Sequence, residues 1–248
     1  MNFKNQCFEG IFLKRYNRFL ADIKLNNEII TVHVPNTGSM KSCNTPNSPC
    51  LISKSDSLDR KLPYTLEAIK TNNTWVGVNT SWPNKLAVEA FNEKHIPHWN
   101  KFDRVQTEVK ISKESRIDLV IWNQTIYDGK ITPSFFEKTN LPFHLVEVKN
   151  VTLSENGVVY FPDAITERGQ KHLHELMNLM KKGFTAEMLY IIQRDDCEIF
   201  KPATHIDPEY AQLLKQAHDE GLKITPLVVK ISANGIKLDR ILDFNIVF

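Results

Sequence analysis

No stretch of the 248 residues approaches the roughly 18–20 uninterrupted apolar positions that a membrane-crossing helix needs. The opening Met1-Asn2-Phe3-Lys4-Asn5-Gln6 likewise lacks an apolar core of the signal-peptide kind. These two absences lead to the expectation of a cytoplasmic protein with no membrane partner. Cysteine is scarce: Cys7, Cys43, Cys50 and Cys197 are too few for a disulfide framework in a chain this long, and Cys43 to Cys50 is wider than common zinc knuckles use. They are expected to be free thiols. A strong charge of one sign is missing too, since the net charge is only +2. That charge is unevenly spread, with ten Lys and Arg against six Asp and Glu in residues 1–80, and 21 against 23 thereafter. The basic excess of the first third is compatible with a polyanionic partner.

What is present is the balance of a folded globular chain, 42% hydrophobic and 24% charged, which argues against disorder. The length favours two domains, and no internal repeat is found. Residues 8–13, 19–25, 28–34, 50–53 and 75–78 are short runs of β-branched and aromatic types, broken by turn residues such as Asn26-Asn27 and Pro35-Asn36-Thr37-Gly38. This pattern predicts a small β-barrel over residues 1–81, of the oligonucleotide-binding (OB-like) type. From Trp82 the pattern changes. Asn84 is placed to cap a helix over 85–92, strands follow over 105–111, 117–122 and 144–148, and a helix over 166–182 is stopped by Gly183. A strand over 187–193, a helix over 208–220 and a last strand over 223–231 complete residues 82–248 as a mixed α/β domain. The longest irregular stretch of that half is residues 123–142.

The sharpest chemical signal is Leu145-Val146-Glu147-Val148-Lys149. Strand residues two apart share a face at about 6.5–7 Å. The tips of Glu147 and Lys149 can therefore converge while Val146 and Val148 turn to the core behind them. The preceding apolar run, Ser115-Arg116-Ile117-Asp118-Leu119-Val120-Ile121, holds one acid, and a carboxylate buried there is costly unless paired. A hard divalent cation, Mg²⁺ or Mn²⁺, would pair with it, because such ions prefer oxygen ligands from carboxylates, phosphate and water. The cation would activate water and neutralise a scissile phosphate, with Lys149 orienting the nucleophile or stabilising the transition state. The plainer alternative is a surface Glu/Lys pair at a strand end.

The order of a helix with Glu89, a strand with Asp118, a strand with Glu147-x-Lys149 and a further helix resembles the PD-(D/E)xK, restriction-endonuclease-like nuclease superfamily. The resemblance implies Asp118 and Glu147 as metal ligands, Lys149 as the catalytic lysine and Glu89 as a helix-borne catalytic carboxylate. The alternative for Glu89 is a helix position turned to water. Asp163 follows the Glu-x-Lys triplet instead of preceding it, so it is not expected to be the metal ligand.

A closer resemblance spans nearly the whole chain. Gly10-Ile11-Phe12-Leu13-Lys14-Arg15-Tyr16-Asn17-Arg18-Phe19, His33-Val34-Pro35-Asn36-Thr37-Gly38-Ser39-Met40, Ser115-Arg116-Ile117-Asp118, Glu147-Val148-Lys149-Asn150-Val151-Thr152-Leu153 and the run 161–173 together look like the bacterial sugar fermentation stimulation protein family. The resemblance implies a DNA-binding module joined to a nuclease-like domain, although a fold does not guarantee cleavage. Two readings stay open: a metal-dependent nuclease, and a non-catalytic regulator that binds DNA with little sequence preference and acts on sugar (maltose) fermentation genes. A homodimer is a further expectation by resemblance to that nuclease class.

Two motifs fit a nucleic-acid surface. Lys14, Arg15 and Arg18 interleave with Tyr16 and Phe19, a pattern that can neutralise phosphates and stack a base. The bland alternative is a hairpin with its aromatics in the core and its cations in water. Arg168, Lys171 and His172 stand near a helix N-terminus, where free N–H groups favour anions. Arg116, beside Asp118, is counted with these cations. His33 is read as a hydrogen-bonded structural residue.

Overall fold

Paired asparagines set the hairpins of the N-terminal half. Asn26-Asn27 and Asn72-Asn73 all sit at positive φ. Two-residue hairpins need that backbone to match the twist of their strands, and Asn tolerates it at little cost. They fold Leu25 back onto Glu28 and Thr71 onto Thr74. The computed structural model describes residues 1–3, 5–57, 59–112 and 115–246.

Strand β1 (Cys7–Tyr16) pairs with β2 (Leu20–Leu25) and β4 (Ser48–Lys54), β2 with β3 (Glu28–His33), and β4 with β5 (Tyr64–Thr71). A parallel bridge from His33 to Thr65 joins β3 to β5 and closes the circuit β1-β2-β3-β5-β4. This is the expected OB-like barrel. Its interior is filled by Phe12, Ile23, Val32, Ile52, Leu66 and Ile69, all fully buried. The strand expected over 75–78 is instead β6 (Thr74–Gly77), which lies outside the circuit, and the fifth barrel strand is β5, which the pattern did not predict. Alternation fails in β5 because Glu67 is buried there. Its carboxylate accepts hydrogen bonds from Ser53 Oγ (2.6 Å), Asn79 Nδ2 (2.9 Å) and Trp82 Nε1 (2.7 Å).

The second half runs α1 (Pro83–Asn92), a 3-10 turn (Pro97–Trp99), β7 (Arg104–Lys110), β8 (Arg116–Trp122), α2 (Pro133–Phe136), β9 (His144–Val151), β10 (Leu153–Glu155) and β11 (Val158–Phe161). It continues with α3 (Glu167–Lys181), β12 (Thr185–Ile192), β13 (Ile199–Pro202), α4 (Pro208–Asp219), β14 (Lys223–Ser232), β15 (Gly235–Ile241) and β16 (Asp243–Phe244). Its main sheet has the order β15-β14-β12-β9-β8-β7, with β9, β12 and β14 parallel and the outer strands antiparallel to their neighbours. β14 is therefore not the last strand, and a small second sheet, β10-β11-β13-β16, lies beside the main one.

The main sheet is covered on both faces. Val146 and Val148 pack with Leu86, Ala87 and Ala90 of α1, while Leu145 lies in the opposite core with Leu173, Leu176 and Met177 of α3. Each fully buried aliphatic side chain of this kind contributes about 1.5–3 kcal/mol. Helix α3 begins where the Thr166 hydroxyl accepts from Gly169 N at 3.0 Å and ends at Gly183, whose φ of +97° only glycine adopts freely. Asn84 does not cap α1. The cap position is Trp82, with no side-chain hydrogen bond, and Pro83 opens the helix.

Candidate active site

Two neighbouring strands of the main sheet separate where the acids begin. β8 and β9 pair only through Leu119–Ile121 opposite His144–Val146. One step further the register would set Asp118 opposite Glu147, and there the ladder stops. Val148 N–H donates instead to Asp118 Oδ2 at 2.8 Å, and Asn84 Nδ2, in the first turn of α1, donates to Oδ1 at 2.9 Å. The residue expected to cap a helix is thus a clamp on the acid of the next strand.

Glu147 lies on the α3 side of β9. Lys149 Nζ meets its Oε1 at 2.6 Å, as the two-residue period requires, and His172 Nδ1 hydrogen-bonds to the same oxygen. Arg168 Nε donates to His172 Nε2 at 3.4 Å. Lys149 Nζ also lies 3.2 Å from His172 Nδ1, so ammonium, imidazole and carboxylate form one cluster. Among the described residues no hydrogen bond falls on Glu147 Oε2, which leaves an oxygen for a cation. Burial pushes the Asp118 carboxyl up to about 6, and the neighbouring Glu147 charge adds to the rise. Burial also opposes ionisation of Glu147, but the Lys149 ammonium and the His172 hydrogen bond outweigh it and hold that carboxyl below its ordinary range. Two acids lining one cleft, with oxygen the only donor element they offer, fit a hard divalent ion.

These groups line a cleft of about 460 Å³ between the domains. Asn36, Thr37 and Gly38 of the barrel form the facing wall, with Asp163 and Arg168 beside them. Asp163 ties that wall to the second domain, its Oδ2 accepting from Ser39 N (2.8 Å) and Ser39 Oγ (2.9 Å). Gly38 belongs there because a Cβ would stand 2.7 Å from Asp163 Oδ2.

Of the residues expected in the site, the fold brings together Asp118, Glu147, Lys149, Arg168 and His172. Glu89 is not among them. Its carboxylate takes the Met1 amine at 2.5 Å and does not line the cleft. The reason is helical phase: five residues after Asn84, Glu89 points about 140° away round the helix. His172, counted beforehand among the cations at a helix start, sits instead directly against Glu147. That placement depends on how α3 crosses β9, and no local pattern signals it.

The barrel cations are engaged otherwise. Arg15 donates to the carbonyls of Arg18 (2.8 Å), Gly38 (2.9 Å) and Asn36 (2.6 Å), and so braces the cleft wall. Tyr16 Oη donates to Asp22 Oδ1 at 2.9 Å, and the exposed Lys14 lies 3.5 Å from the same carboxylate. Arg18 and Phe19 are exposed at the β1–β2 turn, and neither lines the cleft. Arg116 pairs with Glu108 at 2.8 Å on the surface, and Lys171 is exposed on α3. His33 Nδ1 contacts Arg60 at 3.2 Å, in line with a structural role. The four cysteines are free thiols. Among the described residues no helix is long and apolar enough to cross a membrane.

The family model described as "SfsA N-terminal OB domain" matches residues 13–78, and "Sugar fermentation stimulation protein RE domain" matches residues 81–235. The chain belongs to the sugar fermentation stimulation protein family. Members from Bdellovibrio bacteriovorus and Geotalea uraniireducens, each a "Sugar fermentation stimulation protein homolog", are 47% and 42% identical to it. The first alignment covers 97% of each chain, the second 93% of this chain and 94% of the relative. A solved member, described as "The structure of Pyrococcus Furiosus SfsA in complex with Ca2+", superposes with a TM-score of 0.83 over 99% of this chain and 98% of the other. At 24% identity that likeness establishes the shared fold.

Proposed function

We propose that this family member binds nucleic acid, DNA in the first place, along the interdomain cleft, and cleaves phosphodiester bonds there with Mg²⁺ or Mn²⁺ held by Asp118 and Glu147. The observation that carries the reading is the break in the β8–β9 ladder, beyond which two carboxylates line one cleft beside a half-buried ammonium. When bound, the divalent ion would supply Lewis-acid charge at the phosphate. Asn84 and the Val148 N–H fix the orientation of Asp118, and His172 and Lys149 fix that of Glu147. Lys149 places a positive charge where a phosphoryl oxygen gains negative charge. Arg168 and Lys171, at the start of α3, are suited to hold flanking phosphates together with the unpaired N–H groups of the first turn. The arrangement of a strand Asp, a strand Glu-x-Lys and a flanking helix is in keeping with the PD-(D/E)xK resemblance, and the Ca²⁺ named for the Pyrococcus furiosus protein is a hard cation of the expected type.

A second reading, a non-catalytic DNA-binding regulator of sugar fermentation genes, is favoured by the closed Lys149–Glu147 pair and by the engagement of Glu89 with Met1. Purified protein incubated with single- and double-stranded DNA and Mg²⁺ or Mn²⁺, beside Asp118→Ala and Lys149→Ala, separates the two. Metal-dependent cleavage lost in both variants is the expected result. Binding without cleavage, unchanged in both variants, overturns the enzyme reading.

A further inference from the structure

At the other end of β9, on the opposite face of the sheet, His144 meets a second set of ligand-type side chains that the cleft does not use. His144 opens β9, Glu187 lies on the neighbouring β12, and His98 comes from the 3-10 turn. Their donor atoms all lie within 4.8 Å of one another. His98 Nε2 and His144 Nε2 are each 2.8 Å from Glu187 Oε2, and Trp99 Nε1 donates to that oxygen at 2.9 Å. Three groups thus crowd one carboxylate oxygen. The other, Oε1, is fully enclosed and has no hydrogen-bond partner among the described residues. A buried carboxylate oxygen left so carries the whole cost of its desolvation, and such an arrangement calls for a cation.

We propose that His98, His144 and Glu187 bind a divalent transition ion, with Zn²⁺ the best fit. Two imidazole nitrogens and one carboxylate select Zn²⁺ over Mg²⁺ or Ca²⁺, which take oxygen shells. Binding displaces the protons now between the imidazoles and Oε2 and brings the carboxylate's unpartnered oxygen within reach of the ion. The outer partners are already in place. His144 Nδ1 is 2.8 Å from Thr185 Oγ1, a hydroxyl able to accept a proton from Nδ1 once Nε2 is bared to the ion, and Trp99 holds the carboxylate. His98 also lines a cavity of about 400 Å³ with His218, Lys223 and Thr225. With three protein ligands the fourth position falls to water or to a small anion entering from that side. The odd spacing from His144 to Glu147 sets the two sites on opposite faces of β9, so this site is independent of the cleft.

The test uses untagged full-length protein stripped with chelator, titrated with Zn²⁺ against a chromophoric competitor and, separately, with Co²⁺. One Zn²⁺ per chain should bind tightly, raise the melting temperature, and persist in Asp118→Asn and Glu147→Gln. His98→Ala and Glu187→Gln should weaken it by about 100-fold or more, and Thr185→Val by about 10-fold, the scale of outer-partner losses. Co²⁺ in the unaltered protein should give the intense visible band of a four- or five-coordinate ion, which decides the matter even if a variant fails to fold. Zn²⁺ affinity unchanged in His98→Ala, absence of stoichiometric binding, or the faint spectrum of six-coordinate Co²⁺ would overturn the site.

Discussion

Asp118 is the residue on which the chemistry and the stability of the cleft meet. Its carboxyl is raised from an ordinary 3.8 to about 6, first by burial and then by Glu147. The folded chain therefore holds this proton more tightly than the unfolded chain does. The resulting stabilisation is full below about pH 4 and is lost as the pH rises through about 6. Asp118→Asn removes the titrating group, although its amide nitrogen replaces one of the two oxygens that accept from Val148 N–H and Asn84 Nδ2. The test is therefore the slope with pH: the melting temperature of the metal-free protein should decline between pH 4 and 7 by an amount worth at most about 3 kcal/mol, and Asp118→Asn should flatten that decline. The same slope in the variant and the unaltered protein would contradict the strained carboxyl. At this scale the sequence was partly legible. The meeting of Glu147 with Lys149 follows from the two-residue period of a strand, which is local. The clamp from Asn84 and the loss of Glu89 from the site depend on where α1 starts, and a shift of two residues in that start rotates every side chain by about 200°.

Elements were legible where their pattern was undisturbed. Helices α3 and α4 and strands β8, β9, β12 and β14 fall within a few residues of expectation because apolar period and capping residues agree there. The barrel's β5 escaped because Glu67 interrupts its apolar face, and β15 because Lys237, Asp239 and Arg240 make it read as a polar tail. The short β10–β11 hairpin owes its existence to pairing with β13, a partner far along the chain. Strand β6 shows what such long-range contacts demand. Gly77 N donates to Gln193 O at 2.8 Å, and a Cβ at Gly77 would lie 2.5 Å from both Gln193 Oε1 and Ile231 Cδ1. Gly77→Ala should destabilise the chain by about 1–3 kcal/mol through this overpacking. Chemical denaturation reads the change, and a difference below about 0.5 kcal/mol would show that the contact between β6 and the second domain yields easily.

On the scale of the whole molecule, a barrel and a mixed sheet share a polar cleft, and the family assignment holds both domains in that order. Among the described residues, no Lys or Arg of the first third lines this cleft: Arg15 braces its wall from behind, and Lys14 answers Asp22. On the proposed reading, cations from the second domain, Arg168 above all, are left to meet the polyanion. Arg168→Ala and Lys171→Ala should each reduce the salt slope of DNA binding by about one, without changing sequence preference. Slopes unchanged in both variants, followed through a salt titration of binding by fluorescence anisotropy, would move the nucleic acid to another surface. The central claim is that Asp118 and Glu147 hold one cation between them, and anomalous diffraction from crystals soaked in Mn²⁺ tests it most directly. The account predicts a peak within coordination distance of both carboxylates, absent in Asp118→Ala. An empty gap beside intact acids, or a Lys149 ammonium that keeps Glu147 closed at saturating Mn²⁺, would contradict it.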